Sequence, residues 1–172
     1  QILQSKENAI ITKTEEHWRL KPAISGGGYF NDIAPHQIDL MYYYFGEILD
    51  SKGFSHSSKN NIVDDLINGI INFKNGVQLR GIWNFNANKK ETKDECKIYG
   101  TKGTITFSFY GEKVILSLDE KDKVFTFTSP KHIQQPMIEA AVKYFLNEAE
   151  NPCTVKEDKN FPLRVSSNRF NL

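Results

Sequence analysis

The chain has 172 residues, and its 22 Lys and Arg balance 21 Asp and Glu to leave a formal charge of +1. This balance does not predict a nucleic-acid surface, since duplex-binding proteins carry a clear basic excess. Apolar residues make up 39 % of the chain and aromatic residues 12 %, which excludes a wholly disordered protein, and no apolar run approaches the ~20 residues that cross a bilayer.

The first predicted helix follows a small-residue loop, Ser-Gly-Gly-Gly, at residues 25–28. One apolar stripe at helical spacing defines it, and the stripe consists of Ala34, Ile38, Met41 and Phe45. Gly46 follows as a C-terminal stop signal. Pro35 should lie in the first turn or so, because a proline in a helix interior costs about 3 kcal/mol. The pattern therefore predicts a helix that starts near residues 31–34 and ends at Phe45.

Residues 48–128 follow a period of two, which is typical of half-buried strands. Apolar and polar residues alternate in the runs 67–73 and 77–87, and Asn75-Gly76 between them is the strongest short hairpin signal. Further strands are predicted at 95–99, 104–109, 113–118 and 124–128. Short turns between consecutive strands indicate an antiparallel meander and not parallel βαβ units.

A second helix is predicted over residues 136–150, with Pro136 at its first position and a broad apolar face. Together the elements predict an α+β fold, namely an open, mostly antiparallel β-sheet with helices packed on one face. We expect one domain over residues 1–155 and a polar tail over residues 156–172, where no period is visible.

A second stripe on the first helix carries ionisable groups, at Asp32, His36, Asp39 and Tyr43. His36 lies about 200° around the helix from Ala34, so this stripe opposes the apolar one. The i, i+4 spacing sets the Cβ atoms of Asp32 and His36 roughly 5–6 Å apart. A carboxylate beside an imidazole raises its basicity, which is what a proton acceptor for an alcohol needs.

Two other interpretations of this stripe stay open. A charged helix face is often simply solvated, and Asp32 can serve as an N-cap. Asp-x3-His-x2-Asp also supplies three candidate metal ligands on one helix. The other histidines lack ligand spacing and the two cysteines lie far apart, so we expect no dedicated metal site.

The glycine run does not match the dinucleotide fingerprint G-x-G-x-x-G, because Asn31 stands where the third glycine should be. The run also follows a proline-containing segment and not an apolar strand. We therefore interpret it as a flexible entry to the first helix, and as a weak anion site at most.

Two cysteines, Cys96 and Cys153, are too few for a disulfide framework and indicate buried thiols in a reducing, cytoplasmic compartment. The chain begins with Gln1 and not with Met. We therefore expect it to be part of a longer protein, and a signal peptide upstream of Gln1 stays open.

A series of residues near the start of the chain occurs in a characteristic order: Trp18-Arg19, Pro22, Ser25-Gly26-Gly27-Gly28, Phe30, Asp32, His36, Asp39-Leu40 and Gly46. Two later segments continue the series: Asp64-Asp65 before an apolar strand and Asn75-Gly76, then Ile98-Tyr99-Gly100-Thr101-Lys102-Gly103. In this order they resemble the C-terminal domain of the Gfo/Idh/MocA family, which includes glucose–fructose oxidoreductase and inositol dehydrogenase. The similarity spans about residues 10–155.

The resemblance implies one half of an NAD(P)-dependent oxidoreductase that acts on a sugar, a polyol or a related hydroxyl compound. NAD or NADP would be bound mainly by an N-terminal Rossmann domain, which would also supply a catalytic lysine from a Glu-Lys-Pro motif that this chain lacks. His36 would be the acid/base and Asp32 its support. Asp39 would contact a substrate hydroxyl or serve a structural role. The pocket walls would be Trp18, Arg19 and Tyr29.

In the family the sheet commonly forms an oligomer interface. The resemblance therefore implies a homodimer or homotetramer joined through the β-sheet, with no nucleic-acid or membrane partner. By itself the chain should be inactive. Two alternatives are a non-catalytic dimerisation or binding module, and an NAD-dependent glycoside hydrolase of the same family.

Overall fold

The computed structural model describes residues 2–3, 18, 21–57, 62–119 and 121–152. These residues divide into two compact units, one up to Glu95 and the other from Cys96 onward. Each unit holds one β-sheet. The tail predicted at 156–172 lies outside the described residues, as do Arg19 and Cys153.

The first unit is built on a five-stranded sheet with the spatial order β2-β3-β4-β1-β5. Its strands are β1 Ile2–Leu3, β2 Ile48–His56, β3 Leu66–Phe73, β4 Gln78–Asn84 and β5 Lys93–Asp94. The neighbours β2, β3 and β4 are antiparallel, β1 runs parallel to β4, and β5 is antiparallel to β1. The antiparallel meander that the sequence predicts is thus confirmed for β2 to β4.

Two helices precede the meander, α1 Pro22–Ser25 and α2 Tyr29–Phe45. Pro35 is the seventh residue of α2, so the prediction that it lies in the first turn is wrong. The helix starts early because Tyr29 and Phe30 are buried, each 7 % exposed. Tyr29 packs on Phe85 with ring centroids 5.6 Å apart, and Phe30 meets Trp83 edge-on at 5.2 Å. Burial contributes about 1.5–3 kcal/mol per side chain, which offsets the ~3 kcal/mol cost of the internal proline.

The core of this unit lies between α2 and the inner face of the sheet. Ala34, Ile38 and Met41 of the apolar stripe are 0–2 % exposed, as predicted. The sheet contributes the buried side chains of Ile67, Ile71, Phe73 and Trp83, and Phe85, directly after β4, is buried beside them. These alternate with exposed or half-buried residues along β3 and β4, since successive side chains of a strand point to opposite faces.

The hairpin between β3 and β4 turns at Asn75 and Gly76, as predicted. Gly76 has a φ of +88°, a left-handed conformation that glycine adopts without strain. The N–H of Phe73 donates to the carbonyl oxygen of Val77 at 2.9 Å. The amide Nδ2 of Asn75 donates to the carbonyl oxygen of Phe45 at 2.9 Å, which ties the turn to the last residue of α2.

The second unit holds a four-stranded antiparallel sheet in the order β6-β7-β8-β9. Its strands are β6 Cys96–Gly100, β7 Gly103–Phe107, β8 Lys113–Leu118 and β9 Lys121–Thr126, and its helix is α3 Gln135–Phe145. The predicted helix was longer at its C-terminal end. Asn147 has a φ of +60°, a left-handed conformation that follows helix ends.

The apolar side of α3 is exposed in the part of the chain that the structure describes. Met137, Ile138, Val142 and Phe145 are 49–80 % exposed, so the packing predicted for this second helix is not seen there. The α+β class with antiparallel sheets is confirmed. The strands form two sheets where the sequence predicts one, because alternation specifies the face that a residue occupies and not the number of sheets. Cys96, predicted to be buried, is half-buried in β6.

Candidate active site

The outward side of α2 carries the ionisable stripe that the sequence predicts. Asp32 is half-buried, His36 and Asp39 are exposed, and Tyr43 is 81 % exposed. The opposite side of the helix, which includes Ala34, is buried. At 100° per residue one helix can anchor itself in the core and present an imidazole and carboxylates outward.

The glycine loop before α2 has a conformation that only glycine adopts easily. Gly26, Gly27 and Gly28 have φ values of +75°, +154° and +85°. The hydroxyl oxygen of Ser25 accepts the N–H of Gly28 at 3.1 Å. The side-chain amide of Asn31 donates to the carbonyl oxygen of Gly26 at 2.8 Å. The loop is therefore held at both ends by side chains, which fixes where α2 begins and how Asp32 and His36 are presented.

The same loop does not fit the pyrophosphate of a dinucleotide. The side chain of Asn31 folds back over Gly27, where a Cβ atom would lie 2.5 Å from the amide nitrogen of Asn31. The side-chain amide of Asn31, which is hydrogen-bonded to the carbonyl oxygen of Gly26, lies where a phosphate would have to approach the loop backbone. The interpretation of the loop as a helix entry, and not as a dinucleotide cradle, agrees with this geometry.

The chemistry of the stripe rests on Asp32 and His36, which lie one helical turn apart. An exposed imidazole can be reached by a small molecule and can exchange a proton with it. The carboxylate of Asp32 lies on the preceding turn of the same side of the helix. Asp39, one turn further on, adds an exposed hydrogen-bond acceptor on the same side. This arrangement suits proton transfer to or from a polar, neutral ligand.

The predicted pocket walls occupy different surroundings. Trp18 is 45 % exposed, and its carbonyl oxygen accepts the N–H of Lys21 at 3.1 Å. Tyr29 lies in the core against Phe85. Arg19 lies outside the described residues. Their contribution to a substrate pocket stays a prediction.

One polar residue that the sequence reasoning overlooked lies directly beside His36. Gln37 is 3 % exposed, and its Oε1 accepts a hydrogen bond from the indole N–H of Trp83 at 2.7 Å. The signal was present, because Gln37 is a polar residue within the apolar stripe of the helix. A polar side chain at a core position is the informative observation in such a pattern.

Among the residues that the structure covers, no group of three or more His, Cys, Asp or Glu side chains is placed so that it could hold an ion. Within the same ranges, the helices fall short of the length and apolarity that crossing a bilayer requires.

Comparison with known proteins adds family information to this geometry. A family model described as the GFO/IDH/MocA C-terminal domain matches residues 4–106, which include the glycine loop, α2, strands β2 to β6 and most of β7. Oxidoreductase P35 of Formosa agariphila is 50 % identical over 157 residues, covering 91 % of this chain and 48 % of that protein. The chain thus spans about half the length of the curated relative that it matches.

Solved structures share the fold. A levoglucosan dehydrogenase, in complex with NADH and levoglucosan, is 25 % identical over 67 % of this chain and 35 % of its own, with a TM-score of 0.56. The aldose-aldose oxidoreductase of Caulobacter crescentus, complexed with glycerol, has a TM-score of 0.69 at 18 % identity, over 83 % of this chain and 44 % of its own. The biliverdin reductase of Synechocystis sp. PCC 6803, in complex with biliverdin and NADP+, has a TM-score of 0.72 at 15 % identity, over 91 % of this chain and 48 % of its own.

Proposed function

The chain belongs to the GFO/IDH/MocA C-terminal domain family, and from this premise we propose that it forms the substrate-binding and proton-transferring half of an NAD(P)-dependent oxidoreductase. The substrate in this proposal is a sugar, a polyol or a related compound that is oxidised at a hydroxyl group. His36 is the acid/base, Asp32 supports it, and Asp39 contacts a substrate hydroxyl.

One observation carries the proposal. An exposed histidine stands on α2 with a carboxylate one turn before it, on the side opposite to the buried stripe and within the segment that the family model matches. A solvated helix face would explain exposure. What distinguishes this face is its place in the family segment, directly after a loop whose three positive-φ glycines and two side-chain hydrogen bonds fix the start of the helix.

Oxidation of a hydroxyl group removes a hydride from carbon and a proton from oxygen. A nicotinamide, when bound, supplies the hydride acceptor. This chain binds the hydroxyl compound beside α2, and the imidazole of His36 accepts the hydroxyl proton. Because that side chain is exposed, the proton can then pass to solvent.

In this proposal NAD or NADP is bound mainly by an N-terminal Rossmann domain, since the glycine loop of this chain does not fit a pyrophosphate and the chain spans 48 % of its curated relative. The levoglucosan dehydrogenase whose structure contains NADH and levoglucosan supports the cofactor class and the sugar-like substrate. That protein shares 25 % identity with this chain, so the individual substrate is left as the broad class of neutral hydroxyl compounds.

The direct test replaces His36 by Ala in the complete enzyme. The kcat should fall by a factor of roughly 10²–10⁴, the usual contribution of a positioned acid/base, while nicotinamide binding, followed by its fluorescence, stays unchanged. His132→Ala is the matched control, because His132 is an exposed histidine of the second unit. Equal kcat values for the two variants would reject His36 as the acid/base.

We also propose that a second copy of the chain covers the outward face of the first sheet, as in a homodimer or homotetramer. On this face Phe54 is 57 %, Ile70 41 % and Ile82 39 % exposed. The strand register aligns Phe54 with Asn68 and Ile82, so apolar and amide groups alternate across three strands. Lys52 and Arg80 flank Ile70 on the same face, so the proposed interface combines an apolar and amide row with a charged row, and in a two-fold contact the same patch of each copy would meet the other.

A further inference from the structure

A buried hydrogen bond joins the inner side of α2 to β4. The indole Nε1 of Trp83 donates to Oε1 of Gln37 at 2.7 Å. Both side chains are buried, with 6 % of Trp83 and 3 % of Gln37 exposed. The core between α2 and the sheet also contains apolar side chains such as Ile38, Met41 and Ile67, which attract without a preferred direction. The bond therefore adds a directional contact to the layer between helix and sheet.

The orientation of the Gln37 amide is determined by chemistry. An indole N–H can only donate, so the carbonyl oxygen of the amide must face Trp83. The amide nitrogen Nε2 then points elsewhere, and it is buried without a partner within the described part of the chain. A buried donor without an acceptor costs free energy, because it has given up its bond to water. Gln37 thus satisfies the indole donor of Trp83 and leaves its own amide donor unpartnered, so the bond contributes little net stability.

Trp83 is itself held in one position. The indole ring of Trp83 lies over Gly81, and a Cβ atom added to Gly81 would overlap it. A Cβ atom added to Gly69 would lie 3.7 Å from the same ring, which is an ordinary van der Waals contact. Gly69 and Gly81 pair directly across β3 and β4. Phe30 meets the ring edge-on, with centroids 5.2 Å apart and planes at 85°. The sheet therefore offers a fixed donor to the helix.

We propose that Gln37 is a positioning residue, whose bond to Trp83 fixes the rotation of α2 about its axis and thereby the direction in which His36 points. This inference rests on the proposed function, since it assigns a role in proton transfer by His36. Gln37 and His36 are adjacent in the helix, so their side chains leave it about 100° apart and rotate together.

The size of the effect follows from helix geometry. A helix with side chains has a radius of about 6 Å, so a roll of about 20° moves the tip of an outward side chain by roughly 2 Å. Misplacement of a reacting group by about 1 Å can cost a factor of 10² in rate. Loss of the bond should therefore reduce kcat by roughly 10-fold or more, while KM, set by the other contacts with the substrate, changes little.

The test compares three variants of the complete enzyme. Gln37→Met keeps the length of the side chain and removes both the acceptor and the unpartnered donor. Trp83→Phe keeps an aromatic ring and removes the N–H. Met41→Leu is the control, because Met41 is also buried on the inner side of α2 and this exchange conserves its volume. Each variant is assayed for kcat, KM and melting temperature, and the double variant Gln37→Met/Trp83→Phe completes a mutant cycle.

The expected result is a roughly 10-fold loss of kcat in Gln37→Met at unchanged KM, and normal kcat in Met41→Leu. The melting temperature of Gln37→Met should stay close to that of the unmodified enzyme, because the variant loses the unpartnered amide donor of Gln37 and leaves the indole donor of Trp83 unpartnered in its place. The double variant should lose no more kcat than Trp83→Phe alone, because the two residues act through one bond. Normal kcat in Gln37→Met would overturn the inference. Equal losses in Gln37→Met and Met41→Leu would do so as well, and so would failure of Gln37→Met and Trp83→Phe to fold, since the bond would then be structural.

The inference and the proposed function fail in different ways. If His36→Ala leaves kcat unchanged, the proposed function fails whatever the result for Gln37. If His36→Ala loses kcat and Gln37→Met does not, only the positioning role fails. The indole signal of Trp83 in the nitrogen–proton spectrum is assigned by its absence in Trp83→Phe, and a shift of that signal in Gln37→Met reports loss of the bond directly.

Discussion

Replacement of Gly28 by alanine should destabilise the first unit much more than replacement of Gly76. Gly28 immediately precedes α2 with φ +85° and ψ −161°, a region that only glycine occupies easily. An added Cβ would lie 2.9 Å from Cγ2 of Val63, which is 5 % exposed and cannot move into solvent. Gly76 has a similar φ of +88°, but an added Cβ meets none of the described atoms within 4 Å.

The two replacements therefore differ in packing. Backbone strain of this kind costs about 1–3 kcal/mol, and forcing an extra carbon into a packed core adds about 1–3 kcal/mol. Gly28→Ala should lose roughly 2–6 kcal/mol, whereas Gly76→Ala should lose about 1–2 kcal/mol from its left-handed conformation alone. Since unfolding by urea has a slope of about 1–3 kcal/mol per M for small proteins, the midpoint of Gly28→Ala should fall roughly 1 M below that of Gly76→Ala.

Urea unfolding followed by tryptophan fluorescence measures both variants. The cause is checked by the double variant Gly28→Ala/Val63→Ala, in which the overlap disappears. The free energy of unfolding of the double variant should be higher than the two single losses added together would give, by about 1 kcal/mol or more. Equal midpoints for Gly28→Ala and Gly76→Ala would refute the contact with Val63 as the reason for glycine at the start of α2.

Three further predictions concern the core, a surface carboxylate and the sheet. Met41→Ala should cost about 2–5 kcal/mol because Met41 is 2 % exposed, whereas Met137→Ala on α3, 61 % exposed, should cost about 0.5 kcal/mol or less. Hydrogen bonds from Ser129 hold the pKa of Glu112 below its ordinary value. The small contribution of these bonds to stability is therefore present above the ordinary pKa of a glutamate and is lost as the pH falls through the lowered pKa. Ser129→Ala should raise the titration midpoint of Glu112, measured by carbon NMR. Ile70→Lys should reduce the oligomer measured by light scattering.

Each of these has a contrary outcome. A loss for Met137→Ala as large as that for Met41→Ala would mean that α3 is packed in solution. An unchanged midpoint of Glu112 in Ser129→Ala would show that the hydroxyl does not contribute to the pKa. An oligomer that survives Ile70→Lys would place the interface away from the outward face of the first sheet.

The sequence predicts best those elements whose structure depends on one local pattern. The apolar stripe of α2 and the Asn75-Gly76 turn were predicted and are confirmed, because each depends on local spacing or on a single backbone conformation. The early start of α2 was not predicted. It results from the burial of Tyr29 and Phe30 against β4 and the residue after it, which is a tertiary effect that overrides the cost of Pro35.

The remaining differences also have tertiary causes. Strand β2 was not singled out, because Asp-Ser-Lys-Gly in residues 50–53 has low strand propensity, and it forms because β3 pairs with it along its length. Gln37 was passed over because only its contact with Trp83 explains a polar residue in the apolar stripe. The ionisable stripe itself could be predicted from spacing alone, but the role of each residue in it could not.

The most direct test of the account is chemical rescue of His36→Ala. In the complete enzyme this variant should have a low kcat, and added imidazole should restore much of it in proportion to its concentration, because the side chain that it replaces is exposed and reachable from solvent. Imidazole should leave His132→Ala and the unmodified enzyme unaffected. A low kcat that imidazole does not raise would contradict the assignment of His36 as the group that takes the proton.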